Sequence, residues 1–448
     1  MAIYFRALIV SALAVAILGG CSETSLPEAT GKGTIDAINA MPGSPSITFL
    51  IEERLLGSVG YKGSLGAQSF DDLSFNFNFQ FTKVGDTQST RIATQLIDMI
   101  ADTNHTLVLT GTVAAPLVTQ WERPEREWTG TETVFEAAFA HLSPALGDID
   151  IYFAPIGTAP VLGEERAKLS FGDRMPEIDL ESEEYELIVT ARDVPATILY
   201  QSAGIVLPAR ISHTLAVFDA DASITGNMSI RVITQAGLNI EMPDSNFLPT
   251  LRTVHAAFGT ENIDIYRDED FTATIFSDLG FGETTGDLPV PAGIALYTYT
   301  PVGNPGAIID EENQSVPAGQ RFSTVLAGLA GSELSRMNLI DNRRSIETHA
   351  KFRFIQAAAN FPTMDLYLVI AGADITELNP TISGMSFALT TDFVPQIANS
   401  YEIILTMPGE KTVIAGPLLL DLVEGDVAEA LITDTVDPVV ADMIITFF

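Results

Sequence analysis

LRTVHAAFGTENIDIY, from Leu251 to Tyr266, is the stretch that decides how this chain is read. Leu251 and Thr253 alternate with Arg252 and Val254 before a short loop, and Ile263 and Ile265 alternate with Asp264 and Tyr266 after it. This period of two predicts two half-buried strands. The chain contains the pattern four times. His255 stands nine positions before Asp264, and AFAHLSPALGDIDIYF repeats that spacing with His141 and Asp150. RFIQAAANFPTMDLYL repeats it with Gln356 and Asp365, and AINAMPGSPSITFLI with Asn39 and Thr48. The four anchors lie roughly one hundred residues apart, so four units are expected.

Each unit reads as all-β. In the third, Leu288-Pro289-Val290-Pro291-Ala292-Gly293 and Gly303-Asn304-Pro305-Gly306 mark turns. Between them, Ala295 to Thr300 is rich in aromatic and β-branched residues, the composition of a strand. About seven short strands at regular spacing are expected per unit, the signature of a sandwich. In the first unit, Phe75-Asn76-Phe77-Asn78-Phe79-Gln80-Phe81 should lay four phenylalanines on one face. The expected fold is therefore all-β: four tandem immunoglobulin-like, antiparallel β-sandwich domains spanning 34–131, 132–248, 249–347 and 348–448. With Pro, Gly and charge at the junctions, they are expected as a rod or string of independently folding units.

The N-terminus reads differently. Arg6 precedes an apolar run, Ala7 to Ile17, too short to span a bilayer, and Leu18-Gly19-Gly20 leads into Cys21. This resembles the lipobox of bacterial lipoproteins, with residues 1–20 as a cleaved signal and Cys21 as the lipidated residue. Cys21 is the single cysteine of 448 residues. Ser22 after it favours the outer membrane, and residues 21–33 read as a polar tether. The expected setting is the outer membrane, lipid-anchored, with the bilayer as one partner through the acylated terminus.

Composition narrows the function. Losing residues 1–20 removes Arg6 and no acid, which leaves 22 basic and 58 acidic residues, a net of −36. Nucleic-acid binding is not expected, because phosphate neutralisation needs Lys/Arg patches.

Arg252-x-x-His255-Ala256, then Ile263-Asp264-Ile265-Tyr266, then Leu288 to Gly293, resembles the bacterial family called domain of unknown function 4397. The resemblance extends to the fourth unit through Arg353, Gln356 and Asp365, and in part to the second, where Ala138 holds the arginine position. The first unit departs furthest, with Asp36, Asn39 and Thr48. The family implies tandem β-sandwiches in an envelope setting and no particular reaction.

Arg252, His255 and Asp264 invite a catalytic reading, since a histidine oriented by a carboxylate is a general-base arrangement. The alternative is that the motif ties down a loop. The histidine position holds Asn39, His141, His255 and Gln356, and what these share is hydrogen bonding, not titration. A structural role is therefore expected for Arg252, His255, Asp264, His141, Asp150, Arg353, Gln356 and Asp365. No catalytic residue, cofactor or metal ligand is expected: the histidines lack metal-ligand spacing, and the acidic loops lack that of a calcium loop. Trp121 and Trp128 are either a sugar-stacking pair or packing at a domain junction. The expected function is a non-enzymatic structural or binding protein of the envelope, with an unknown protein or glycan ligand. A glycan-binding module of a polysaccharide-handling system is the alternative.

Overall fold

The computed structural model describes residues 28–332 and 334–448; Cys21 and the signal expected before it lie outside them. The regular structure is strand throughout the described residues. The third unit has eight strands: Thr250–Phe258, Ile263–Arg267, Phe276–Leu279, Leu288–Pro289, Gly293–Pro301, Asp310–Val316, Arg321–Leu329 and Ser335–Ile340. They form two four-stranded sheets. One has the order fourth, first, seventh, eighth, and the other third, second, fifth, sixth. The first and fourth units repeat this order, and the second adds a short strand to each sheet. The fold is thus four β-sandwiches, with eight strands in the plain units where seven were expected.

The strand order differs from the ABED/CFG arrangement of immunoglobulin domains. One pair in each unit, the first strand with the seventh, is also parallel. The chain crosses from one sheet to the other between the sixth and seventh strands, so the seventh enters beside the first in the same direction.

Each sandwich closes its own core. In the first unit Phe77, Phe79 and Phe81 are buried together and Phe75 packs against them, so the alternating phenylalanines do share one face. The opening strands depart from the expected half-burial. Thr250–Phe258 is buried on both faces up to its last residue, and Ala350–Gln356 is buried throughout. The cause is packing between units. Val254, Ala256, Val325 and Ala327 of the third unit meet Ile355, Ala357 and Leu431 of the fourth in one apolar cluster. Ile38, Ala40 and Val108 of the first unit meet Ala140, Ala216 and Phe218 of the second in another. The sheet that carries the opening strand therefore lies between its own partner sheet and the sister unit.

This corrects the expected rod or string: the units pack face to face as two pairs, and the pairs also touch. Arg344, in the segment between units three and four, donates to the carbonyls of Pro42 at 3.0 Å and Ser44 at 2.9 Å in unit one. The Thr225 N–H of unit two donates to the Gly319 carbonyl of unit three at 3.0 Å. Turn composition at a junction reports chain direction, not whether the flanking sheets present apolar faces to each other.

Candidate functional site

Residues 252 and 255 lie three apart on one strand, so their side chains leave it on opposite faces. His255 turns toward its own sandwich. Its Nδ1 accepts the N–H of Ala257 at 3.3 Å, which leaves Nε2 to donate to the Glu261 carbonyl at 3.3 Å. Burial holds the imidazole below its ordinary pKa, although the Glu261 bond and the Glu283 charge oppose this. His141 repeats the arrangement, with Ser143 N–H on Nδ1 at 3.3 Å and Nε2 on the Gly147 carbonyl at 3.0 Å. Gln356 accepts from Ala358 N–H at 2.7 Å and donates to Phe361 O at 2.8 Å. Asn39 accepts from Met41 N–H at 3.1 Å and donates to Val59 O at 3.1 Å. In all four units the side chain takes the N–H two residues on and gives a proton to a carbonyl farther along. The buried side chain thereby ties the end of the first strand to a backbone carbonyl, in the following loop in three units and at Val59 in the first.

Asp264 is in the other sheet, and shares none of these partners. Its Oδ1 accepts from Ser277 Oγ at 2.5 Å and Asp278 N–H at 3.1 Å, and its Oδ2 from Gly303 N–H at 2.9 Å. Burial raises the carboxyl pKa, but the bonds from Ser277, Gly303 and Asp278 outweigh burial and hold it below the ordinary value. Asp365 takes Gly384 N–H at 2.7 Å and Gly409 N–H at 2.8 Å. Asp150 takes Asp193 N–H at 2.7 Å and lies 3.3 Å from Arg192 Nε. Asp264 and Asp365 each pin two turns of one sheet together, and Asp150 holds one. The suspected triad of Arg252, His255 and Asp264 is not assembled.

Arg252 and Arg353, at equivalent positions, face the sister unit and meet there. Glu429 receives Arg252 Nη2 at 2.6 Å, Arg353 Nε at 2.8 Å and Arg353 Nη2 at 2.6 Å. Asp341 receives Arg353 Nη2 at 2.6 Å, Arg343 Nη2 at 2.6 Å and Ser323 Oγ at 2.5 Å. Arg252, Arg353, Glu429 and Asp341 are all buried. The Phe448 ring lies under Arg252 and Arg343, with ring centroids 4.9 Å and 4.2 Å away. The Asp341 carboxyl is raised by burial and lowered further than that by Arg353, Arg252 and Arg343. The sequence reading missed Glu429 and Asp341. A signal for Glu429 existed: it is the one charge in Val427-Ala-Glu-Ala-Leu-Ile432, an otherwise apolar strand.

In the first pair the same position holds Asp36, whose carboxyl is pushed up to about 6 by burial against bonds from Thr106 and Asn104 and the charges of Arg123 and Arg174. Trp121 packs against the apolar seam of that pair, and Arg126 stacks on Trp128 at 3.9 Å. Trp121 is therefore junction packing.

A groove of about 570 Å³ opens beside the Arg353 network, where the third unit's last strand, the connecting segment and the fourth unit's first strand converge. Its lining includes Asn338, Asn342, Arg344, Lys351 and Phe393. No group of His, Asp and Glu side chains with metal-binding geometry occurs among the described residues.

No curated protein matches the chain. Residues 249–367, which are the third unit and the opening of the fourth, match the model of the family described as Domain of unknown function (DUF4397).

Proposed function

We propose that this is a non-enzymatic cell-envelope protein, held at the outer membrane by acyl chains on Cys21 and carrying a four-sandwich body with a structural or binding role. The observation that carries the reading is the common tie made by Asn39, His141, His255 and Gln356. Amides do at two positions what imidazoles do at the others, and an amide is no general base at neutral pH. The motif that most resembles a catalytic constellation is better explained by folding. The Leu18-Gly19-Gly20-Cys21 sequence supports the anchor. The test is metabolic labelling with a fatty acid. Wild type should take up label and partition with membranes, and Cys21→Ala should do neither. Equal labelling of the variant would refute the anchor.

A second reading, glycan binding, is favoured by the groove at the junction of units three and four. It brings a half-buried aromatic ring, Phe393, together with amide and hydroxyl side chains. Rings and hydroxyl-matching groups in a concave site are what a sugar requires.

A further inference from the structure

Buried cations in this protein are matched by carboxylates almost everywhere. Arg252 and Arg353 share Glu429, Arg343 holds Asp341, and Lys62 sits 3.1 Å from Asp221. Two cations on the groove depart from the rule. Lys351 is only 7% exposed, yet its Nζ donates to a carbonyl, Asn342 O, at 2.8 Å. Arg344 likewise donates to carbonyls, those of Pro42 and Ser44. Neither is ion-paired with a carboxylate among the described residues.

A lone carbonyl is a dipole and stabilises a buried cation less than a carboxylate does. The two cations also disfavour each other: the Lys351 ammonium is pushed down to about 8, first by burial and then by Arg344. The remaining charged groups nearby do not relieve them. Asp221 acts on both but is engaged by Lys62 and Ser223. Arg353 is consumed by Glu429 and Asp341, His349 is held below its ordinary pKa by burial, and Asp392 is exposed at the rim. An ammonium with donors to spare and a guanidinium fork thus line one cavity without an anion between them.

The rest of the lining narrows the ligand. Asn338, Asn342, Thr390 and Thr391 offer amides and hydroxyls, and the half-buried Phe393 ring lies beside Lys351 at 5.2 Å. The volume suits a ligand of one or two sugar rings. The net charge of the chain repels long polyanions.

We propose that this groove binds a short acidic saccharide carrying a single anionic group, which sits between Arg344 and Lys351 while the sugar hydroxyls meet the asparagines and threonines. The inference rests on the glycan-binding reading and gives it a place and a ligand class.

The test is calorimetric titration of the mature chain with cellobiouronic acid, cellobiose, glucose 6-phosphate and inorganic phosphate. An acidic sugar should bind at least tenfold tighter than cellobiose, with affinity falling as salt rises. Lys351→Met should weaken it at least tenfold with an unchanged melting profile, and Lys351→Arg should stay within a few-fold of wild type. If glucose 6-phosphate binds tighter than cellobiouronic acid, the site stands with a phosphate as its anion. Inorganic phosphate binding as tightly as either acidic sugar would overturn the saccharide. No binding of either acidic sugar would overturn the proposal. Cellobiose binding as tightly as its uronate, and indifferent to Lys351→Met, would overturn this site while leaving the glycan-binding reading in place.

Discussion

Glu429→Gln is the most informative single change to the core of this protein. Glu429 belongs to the fourth unit, yet one of its two arginines, Arg252, belongs to the third. Glutamine keeps the shape and one acceptor oxygen but removes the charge and turns an amide N–H₂ toward guanidinium groups that only donate. Arg252 would keep Ser323 Oγ at 2.9 Å, and Arg353 would keep Asp341 at 2.6 Å, so neither is wholly stranded. Even so, a buried cluster would lose one of its anions. Removing one partner of a buried pair costs about 3–5 kcal/mol, and the bonds that remain place this variant near the lower end, about 3 kcal/mol. Urea denaturation of the mature chain, followed by far-UV circular dichroism, reads the loss as a lowered midpoint at constant slope. Arg252→Met should also destabilise, and the double variant should cost clearly less than the two singles together, because they remove one interaction. A loss below about 1 kcal/mol for Glu429→Gln, the range of exposed pairs, would refute a desolvated network and the packing of unit three on unit four.

Three further outcomes are expected. A fragment of residues 249–347 should be aggregation-prone, since it exposes the Val254, Ala256, Val325 and Ala327 face and strands Arg252, whereas 249–448 should melt cooperatively; light scattering and calorimetry compare them. His255→Gln should stay within about 1 kcal/mol of wild type, because Gln356 makes the same tie in the fourth unit, and His255→Ala should cost about 1–3 kcal/mol by leaving the Ala257 N–H unsatisfied. Asp36 has a folded-state pKa raised to about 6, so the penalty of its buried charge is complete above pH 6 and is relieved as pH falls toward its ordinary value of 3.8. Asp36→Asn should accordingly stabilise the protein at pH 7, on the order of 1–3 kcal/mol, and the gain should shrink as the pH drops through 6.

Much of the fold was legible because it rests on short-range regularities. The spacing of His255 to Asp264 survives in three other places, and alternation in Phe75 to Phe81 marks one buried face without any tertiary knowledge. What was not legible is what lies between units. Thr250–Phe258 alternates in chemistry, with Arg252 interrupting, so it reads as half-exposed; it is buried because a second sheet lies on its far side. The arginine gave no hint of its partner, which is 177 positions away. The loop tie was easier to foresee, since three residue types at one position in four units reveal by what they share which chemistry is needed. Lys351 and Arg344 were invisible as a pair because an ordinary lysine and arginine become unusual only when their surroundings omit an acid.

The two pairs solve one packing problem with opposite charges, and this bears on how four similar units find the right neighbours. Each presents an opening strand to its sister, and the residue at the same place is Asp36 in the first unit, Ala138 in the second, Arg252 in the third and Arg353 in the fourth. Beside it on the parallel seventh strand stand Thr106, Thr214, Ser323 and Glu429. Were the first unit to dock on the fourth in the third unit's place, Asp36 would face Glu429. Were the third to dock on the second in the first unit's place, Arg252 would face Arg174, which is paired with Glu177 and whose charge now acts on Asp36. Either exchange buries like charges together, at a cost of several kcal/mol, while the apolar seams, both rich in alanine and branched aliphatics, would discriminate little. Buried charge at this one position therefore specifies partner choice more than it adds stability. Asp36→Arg in the full chain puts this to the test. It should disrupt the first pair by adding a third guanidinium beside Arg123 and Arg174, which share the carboxylate of Glu177, and lower the melting temperature. If the variant melted like wild type, the charge pattern would have no part in pairing the units.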